Sequence, residues 1–597
     1  MTMARDEELD WFATLGDSLR VERVDGVPVV HVGAPGPVRG ALCFRVGTAD
    51  EPLPQRGLTH LIEHLALHGQ VGPSDHRNGM TGATITQFVV SGSERQVVAF
   101  LNHVCAGLRD LPVERLEAER SILAVEAQGR LNPMDDILMR FRFGAQGVAR
   151  RTYREFGAEF ATAEDVVTWA RRWFVRGNAV AYITTDDIPE GLDLRLPQGE
   201  RQIHVTSPTL LENRPAWFEG ADGIALVDAV VPRSTAAVLF TEVLSKSLFR
   251  QLRVERGYSY MVGANYEPLD ADFARIFVFA DAAPEKAGDM VGALAGALSA
   301  LRDGQLDPAD VADAREQIDE ASRQAVETPE SMLGSAAVGF LLGGEPWQLG
   351  DESAERNTVT EDDLAAVART FWDDAIWQIP SEPEGVTGLN VVGSQRDEPV
   401  YGLAYFRAIG SERLVISAEG VSVIAGDESF TVLLSDCVLV MQWGDGGRLI
   451  MGGDGTTITI EPTVLLHFGE KEVARFDASV PPGVVVRLPA RATDVIPQPP
   501  SPQAVAASTP GLGGWAVAAA ISTGVFAALL FASALTRTLV IGEIDGNGIP
   551  VSASSASSLW AIGALFLGGT VALLQQWVHR LKWTRSRRPQ PSVARHP

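Results

Sequence analysis

The stretch HLIEH, from His60 to His64, holds the side chains in this sequence that are best suited to binding a metal ion. On a helix, positions i, i+3 and i+4 share one face, so both imidazoles point at one place with Glu63 beside them. Two neutral imidazoles and a carboxylate are ligands that suit Zn²⁺. Gly57 before the stretch and Gly69 after it, with leucines between them, predict the helix that this chemistry needs.

A third ligand is expected on a later helix, within the segment LPVERLEAERSILAVEAQGR at residues 111–130. Pro112 near the start and Gly129 near the end are typical of helix boundaries. Glu119 and Glu126 are two turns apart and share a face, so Glu126 is the candidate ligand and Glu119 a candidate for orienting a ligand. The alternative is a solvated row of carboxylates and two histidines that only make hydrogen bonds.

The segment GLTHLIEHLALHG and the later E-x6-E pair together resemble the pitrilysin/insulinase family of zinc metallopeptidases, whose inverted motif is H-x-x-E-H. The interval from His64 to Glu126 is shorter than the family pattern. In the family, a stretch of small residues precedes the substrate-binding edge strand, and Gly79 to Thr86 corresponds to it here. Gly82 stands where members often carry Asn, which affects a substrate contact and not the metal ligands.

The resemblance implies hydrolysis of peptide bonds. Three protein ligands, His60, His64 and Glu126, leave one zinc position open for water, and the metal lowers the pKa of that water to about 7. The zinc-bound water is the nucleophile, and Glu63 is the general base that takes its proton and passes it to the leaving amine. We expect a zinc metalloendopeptidase that acts on short or unfolded peptides. The alternatives are a non-catalytic pairing subunit and a membrane adaptor that keep the fold.

One pattern occurs twice in the first 380 residues. TAEDVVTWARRWF begins at Thr162 and TEDDLAAVARTFW begins at Thr360, and both predict helices with a Thr cap and acidic residues in the first turn. The predicted fold class is therefore α+β, with two repeated metallopeptidase-like units. These units are residues 1–200, which carry the zinc site, and residues 201–394, which have no zinc site and grip the substrate.

The second unit contains LFRQLRVERGYSYMVGANY in place of a metal motif. Its Arg253 and Tyr260 resemble the family's R-x6-Y pair, which implies that Arg253 binds a substrate carbonyl or carboxyl end and that Tyr260 donates to the oxyanion. A surface arginine and a half-buried strand tyrosine are the alternative. Family members close two such halves into a clamshell, so the resemblance implies a homodimer, or a heterodimer with a related chain, in which this pair reaches the opposite zinc.

Beyond residue 395 the helical periodicity gives way to short β-rich runs, including RLVISAEGVSVIAG and VARFDASV. Asp-Gly pairs at residues 445–446 and 454–455 predict hairpins, as does the pair at residues 25–26. An all-β domain is expected over residues 395–490. Its strand order loosely resembles pleckstrin-homology or GRAM-like domains, and lipid binding, partner binding and a spacer role all remain open.

The C-terminal part of the sequence predicts membrane anchoring. Two apolar runs, residues 515–535 and 559–578, are long enough to cross a lipid bilayer, and the alternative is a pair of buried core helices. The basic tail is expected on the cytoplasmic side, and a two-span hairpin then places the peptidase units there as well, in a multi-pass cell-membrane protein. The predicted regions are a Pro-rich linker at 491–512, the two transmembrane helices at 513–580 and the tail at 581–597.

Composition limits the remaining functional classes. A net charge of −26 argues against nucleic acid as a partner. The three cysteines, Cys43, Cys105 and Cys437, lack C-x-x-C spacing and are expected to be buried thiols in a reducing compartment. The acidic N-terminal residues contain no apolar segment, so no signal peptide is expected.

Overall fold

The computed structural model describes residues 19–69, 76–129, 134–204, 206–343, 357–380, 388–392, 397–407 and 412–498. The predicted transmembrane hairpin and basic tail lie outside these ranges, as does most of the Pro-rich linker. Within the described ranges, no helix is both long enough and apolar enough to cross a bilayer. Three successive regions of chain, each with its own sheet or sheets, make up the described part.

The first region is built on a six-stranded sheet with the order β1-β2-β6-β3-β5-β4. Asp25 and Gly26 have φ angles of 52° and 89° and turn β1 into β2, so the hairpin predicted there is confirmed. Among the described strands, β4 lies at the edge of the sheet. The strands are β1 (Arg20–Val24), β2 (Val27–His31), β3 (Val38–Phe44), β4 (Arg77–Thr81), β5 (Thr86–Gly92) and β6 (Ala179–Ile183).

In the described part of the chain, six helices accompany the first sheet. The helix that carries the HLIEH stretch is almost enclosed, since nine of its ten residues are buried and only His64 is partly exposed. Its leucines pack with Phe88 and Phe100 in the core of the first region. The helices are α1 (Leu58–Leu67), α2 (Glu94–Arg109), α3 (Leu116–Gly129), α4 (Asp136–Phe143), α5 (Phe156–Phe160) and α6 (Ala163–Trp173).

The second region repeats this architecture around a six-stranded sheet with the order β12-β7-β11-β8-β10-β9. In both sheets the strand after the Thr-capped helix lies between a parallel and an antiparallel neighbour: β6 between β2 and β3, and β11 between β7 and β8. The strands are β7 (Ala216–Glu219), β8 (Ile224–Pro232), β9 (Val262–Pro268), β10 (Phe273–Asp281), β11 (Ile376–Ile379) and β12 (Asn390–Val391).

The helices of the second region include the predicted partner of α6. Thr162 and Thr360 each accept from the backbone N–H three residues on, and each forms a capping box with an aspartate, so both predicted caps are confirmed. A π-helix, Phe249–Glu255, continues α7. The helices are α7 (Thr235–Leu248), α8 (Ala287–Arg302), α9 (Pro308–Glu327), α10 (Leu333–Leu341) and α11 (Glu361–Asp374).

A network of buried ion pairs joins the first two regions. Arg142 of α4 contacts Asp228 of β8 at 2.8 Å and Asp374 of α11 at 2.6 Å. Arg275 of β10 contacts the same Asp228 and also Asp135, at the start of α4, both at 2.7 Å. Removing one partner would leave a buried charge unpaired, so these residues fix the two regions against each other.

Helix α10 belongs to the second region by sequence but packs on the sheet of the first. Its Leu333, Ala337 and Phe340 are buried against Val30 and Val180, on the sheet face opposite α1. Helices therefore pack on both faces of the first sheet, and α10, on one face, belongs to the second region.

The third region contains two four-stranded sheets, ordered β13-β14-β15-β16 and β19-β18-β17-β20. The hairpins predicted at residues 445–446 and 454–455 join β17 to β18 and β18 to β19, so both are confirmed. The strands are β13 (Leu403–Phe406), β14 (Arg413–Ile416), β15 (Gly420–Ala425), β16 (Glu428–Leu433), β17 (Cys437–Trp443), β18 (Arg448–Gly452), β19 (Thr457–Ile460) and β20 (Val485–Leu488).

The prediction of an all-β third region is wrong at the segment VARFDASV. Its first five residues end a helix, α12 (Glu470–Asp477), which begins where the Gly469 N–H donates to the Glu472 carboxylate. Val473 and Phe476 are buried on one side of this helix. Their spacing of three matches a helix and not the alternation of a strand, so the helical period explains the error.

Candidate metal centre

A buried carboxylate from the preceding segment accepts hydrogen bonds at the N-terminus of helix α1. Glu51, which is fully buried, accepts hydrogen bonds from the backbone N–H of Gly57 at 2.8 Å and of Thr59 at 2.7 Å. Gly57 has a φ of 95°, a left-handed conformation that a side chain at this position would strain. The Thr59 hydroxyl in turn accepts from the Trp169 indole at 3.0 Å. These contacts fix the first turn of the helix that carries His60.

The three predicted metal ligands converge at one point. Nε2 of His60 and Nε2 of His64 each lie 3.6 Å from a carboxylate oxygen of Glu126. One potential donor atom from each residue falls within 4.8 Å of the other two. Zinc bonds of 2.0–2.2 Å in a tetrahedron place ligand atoms about 3.4 Å apart, so this donor set fits Zn²⁺. Glu126 comes from α3, which starts after a short 3₁₀ turn, Val113–Arg115.

Each histidine has a carboxylate behind it. Glu119, the predicted orienting residue, lies 3.5 Å from Nδ1 of His64. Glu155 lies 3.4 Å from Nδ1 of His60, and sequence reasoning missed this residue because no spacing or motif connects it to the HLIEH stretch. A carboxylate at each Nδ1 favours the Nδ1–H tautomer, in which the lone pair of each Nε2 faces Glu126 and can bind a metal.

Glu63 lies beside this group and contacts the edge strand. The Thr81 hydroxyl donates to Glu63 Oε2 at 2.6 Å, and a Cβ on Gly79 would come within 2.3 Å of Oε1. Burial raises the pKa of Glu63, and the hydrogen bond from Thr81 opposes that rise. The carboxylate thus lies between the histidines and strand β4.

The prediction that the small-residue stretch precedes the edge strand is wrong. Residues 79–86 include the end of β4 and its turn into β5, so they overlap the edge strand and do not precede it. The Gly82 N–H bonds back to the Ile85 carbonyl at 2.9 Å, which closes the turn. The glycines therefore serve a hairpin and a close approach to Glu63.

Arg253 and Tyr260 lie together in the second region. The Arg253 guanidinium donates to the Tyr260 carbonyl at 2.8 Å and lies over the Tyr260 ring, 4.8 Å from its centre. Asp281 holds the loop by accepting from the Tyr260 N–H at 2.7 Å. The tyrosine is 73% exposed. Among the described residues, neither Arg253 nor Tyr260 makes a hydrogen bond or ring contact with the three candidate metal ligands.

The sequence matches no family model and no curated protein. Solved structures do match. The first half of the periplasmic protease PqqL from Escherichia coli gives a TM-score of 0.52 at 14% identity, over 62% of this chain and 93% of that one. A protease from Helicobacter pylori gives 0.52 at 16% identity, over 61% and 100%. A peptidase M16 inactive domain from Pseudomonas fluorescens gives 0.50 at 12% identity, over 60% and 97%.

These likenesses show a mixed α/β fold made of repeated M16-like units. They agree with the fold that the resemblance in the sequence implies. Because the matched structures include both proteases and a domain described as inactive, activity has to be argued from the side chains of this chain.

Proposed function

We propose that the chain is a zinc-dependent peptidase. The observation that supports this function is the convergence of His60, His64 and Glu126 beside Glu63, at the edge strand of the first sheet. A zinc ion held by the three ligands would polarise a scissile carbonyl and make water more acidic. Glu63 is the general base of this proposal, taking a proton from water and giving it to the leaving amine.

The neighbouring edge strand suggests how a peptide would bind. The His76 carbonyl accepts from the Ser91 N–H of β5, and the Gly82 N–H donates to the carbonyl of Ile85, just before β5. Bonded and non-bonded pairs alternate along antiparallel strands, so Gly79 and Thr81 direct their N–H and C=O groups away from β5. A peptide that adds to β4 as a further strand would pair with these groups. Both residues contact Glu63, so an added peptide would cross the general base in extended form. Short or unfolded peptides are therefore the proposed substrates.

A dimer is part of the proposed function. Arg253 and Tyr260 are exposed and bonded to each other, and a second subunit would bring them to the metal centre of the first. The match to one half of a protease supports this arrangement. In it, Arg253 binds a substrate carbonyl and Tyr260 donates to the oxyanion. A homodimer would carry two sites, and a heterodimer would carry one.

The proposed peptidase is tethered to the cell membrane. The support is the pair of apolar runs at residues 515–535 and 559–578. Membranes from expressing cells would be washed with alkaline carbonate and then extracted with detergent. The full chain should need detergent, whereas a chain lacking residues 513–580 should not be retained. Release of the full chain by carbonate would contradict the tether.

The decisive experiment combines metal analysis with cleavage of a peptide library. Wild-type protein should hold one zinc per chain and cleave peptides, whereas Glu63→Gln should hold the same zinc and lose at least about 100-fold in activity. Glu117→Gln is the matched control, because this carboxylate on α3 is 83% exposed and pairs with Arg120. A chain that binds zinc but cleaves no peptide would favour the non-catalytic pairing subunit. Absence of zinc from wild-type protein would refute the metal site.

A further inference from the structure

His60 is held from behind by a residue that lies far from it in sequence. Glu155 Oε2 is 3.4 Å from His60 Nδ1, and 95 residues separate the two along the chain. The Glu155 side chain is 14% exposed and that of His60 is 10% exposed. A carboxylate that accepts from Nδ1–H fixes the imidazole tautomer and the ring orientation, and leaves Nε2 as the donor atom for a metal.

Arg56 holds Glu155 in this position. Its guanidinium contacts Glu155 Oε1 at 3.5 Å and the buried Glu51 at 2.9 Å, and it donates to the Arg150 carbonyl at 3.0 Å. The Arg56 carbonyl also accepts from the Gly157 N–H at 2.7 Å, at the start of α5. Arg56 therefore fixes both the side chain of Glu155 and the backbone that follows it.

The third region packs against the two chain segments that contain Arg56 and Glu155. Leu53, three residues before Arg56, and Phe156, directly after Glu155, are buried in one cluster with Leu439 of β17 and Val486 of β20. Backbone contacts add to this packing, since the Ala145 N–H donates to the Gly453 carbonyl at 2.9 Å. The two chain segments that position His60 thus share a core with the third region.

We propose that Glu155 is a positioning residue for His60, and that the third region supports the metal centre by holding Glu155 in place. The inference rests on the proposed metal site and adds a function for a region that carries none of its ligands. The third region packs on Leu53 and Phe156. This packing holds Arg56 and Glu155, which in turn position His60. Loss of either link lets the His60 ring rotate and weakens metal binding.

The first test measures zinc affinity by competition with a chromogenic chelator, on the full chain in detergent. Glu155→Ala should raise the zinc dissociation constant about 10- to 100-fold, the usual cost of losing such a partner. Glu159→Ala is the matched control, because Glu159 lies four residues further on, within α5, but pairs with Arg154 at the surface, and this variant should bind zinc like the wild type. Equal affinities for wild type and Glu155→Ala would overturn the positioning role.

A second readout does not depend on zinc. ¹⁵N-histidine NMR of the metal-free chain should show His60 as the Nδ1–H tautomer, and Glu155→Ala should convert it to a mixture of tautomers. The His60→Gln variant assigns the resonance. Arg56 keeps its Glu51 partner in Glu155→Ala, so the melting temperature should stay near that of the wild type. An unchanged tautomer in Glu155→Ala would refute the inference, even in a chain that binds no zinc.

A pair of variants tests whether the third region supports the metal centre. Leu439→Ala and Ile458→Ala each remove a buried aliphatic side chain from this region, but only Leu439 packs with Phe156. Both should destabilise the region, since such deletions cost about 2–5 kcal/mol. Only Leu439→Ala should weaken zinc binding, by several-fold. An equal loss of affinity in the two variants would show that packing against Phe156 has no particular role.

Discussion

The Thr81 hydroxyl donates a 2.6 Å hydrogen bond to the Glu63 carboxylate and so ties helix α1 to the edge strand β4. One residue belongs to the metal-binding helix and the other to the strand on which a peptide would lie. The edge strand proposed to bind the substrate therefore also aligns the proposed general base. This link makes the geometry of Glu63 testable without changing any metal ligand.

Thr81→Val should lower kcat about 10- to 100-fold, because a hydrogen bond to a charged group contributes roughly 1.5–3 kcal/mol. Zinc content should stay at the wild-type level, because the valine keeps the shape of the side chain and leaves His60 and His64 in place. Ser91→Ala, on the neighbouring strand β5, is the control. Metal analysis and steady-state kinetics on one peptide would check both, and full activity of Thr81→Val would argue against the alignment.

Gly79→Ala tests the close approach of the strand to the base. A Cβ at this position would lie 2.3 Å from Glu63 Oε1, so the carboxylate has to move away. Peptide cleavage should fall at least about tenfold while zinc remains bound. Asn78→Ala, on the same strand but with its side chain on the other face, should keep most of its activity. A fully active Gly79→Ala enzyme would mean that Glu63 tolerates displacement.

Metal removal should reveal how much the site contributes to stability. A ligand that binds only the folded chain raises the free energy of unfolding, by about 4 kcal/mol when free zinc is 1,000 times its dissociation constant. Adding zinc to metal-free wild type should raise the melting temperature, and adding it to Glu126→Ala should not. Glu117→Gln should respond like the wild type. A zinc-induced shift of equal size in Glu126→Ala would exclude Glu126 as a ligand.

Acid stability of the third region should depend on Asp445. Its hydrogen bond from Arg491 lowers the pKa of this carboxyl to about 2 in the folded chain, against about 3.9 when unfolded. The charged form therefore stabilises the fold above about pH 4, and this contribution is lost as the pH falls towards 2. Asp445→Asn should be less stable than wild type at pH 7, and the difference should shrink in acid.

Denaturant titrations at several pH values would measure this effect. Glu419→Gln, at an exposed carboxylate of the same region, should follow the wild-type curve. A difference between Asp445→Asn and wild type that does not change between pH 7 and pH 3 would contradict the assignment.

Mixed dimers would test the proposed contact between subunits. Arg253→Ala and Glu63→Gln chains should each be inactive alone. If Arg253 acts on the opposite subunit, mixing the chains regenerates one intact site per mixed dimer, and about half of the dimers at equal mixing are mixed. Mixing Glu63→Gln with Thr81→Val, which both damage the same unit, should recover far less activity. No recovery in the first mixture would rule out a homodimer with shared sites.

Local patterns in the sequence predicted those groups of site residues that lie on the same helix. Residues 60, 63 and 64 lie on one helix, and Glu119 and Glu126 lie on another, so helical periodicity alone places each set on a face. Glu155 follows no such pattern, because its position beside His60 depends on how α5 packs. The segment at Val473 lies among β-rich runs, which favour a strand, and only the three-residue spacing of Val473 and Phe476 and the cap at Gly469 indicate the helix.

The repeat was predictable for the same reason, whereas the packing of its two copies was not. Thr162 and Thr360 mark equivalent helices through their caps alone. The ion pairs of Arg142 with Asp228 and Asp374 span up to 232 residues of chain, and only the assembled fold brings them together. Arg253 and Tyr260 are seven residues apart and contact each other, but their relation to a metal centre stays a prediction.

Helix α10 has a consequence for how the chain is made. The last strand of the first sheet ends at Ile183, and α10 begins only at Leu333. Until the later helix emerges from the ribosome, a nascent chain lacks the α10 side chains that pack on Val30 and Val180 on one apolar face of that sheet. Apolar surface that is exposed in this way favours aggregation, so a gene cut near residue 200 should yield a fragment that aggregates.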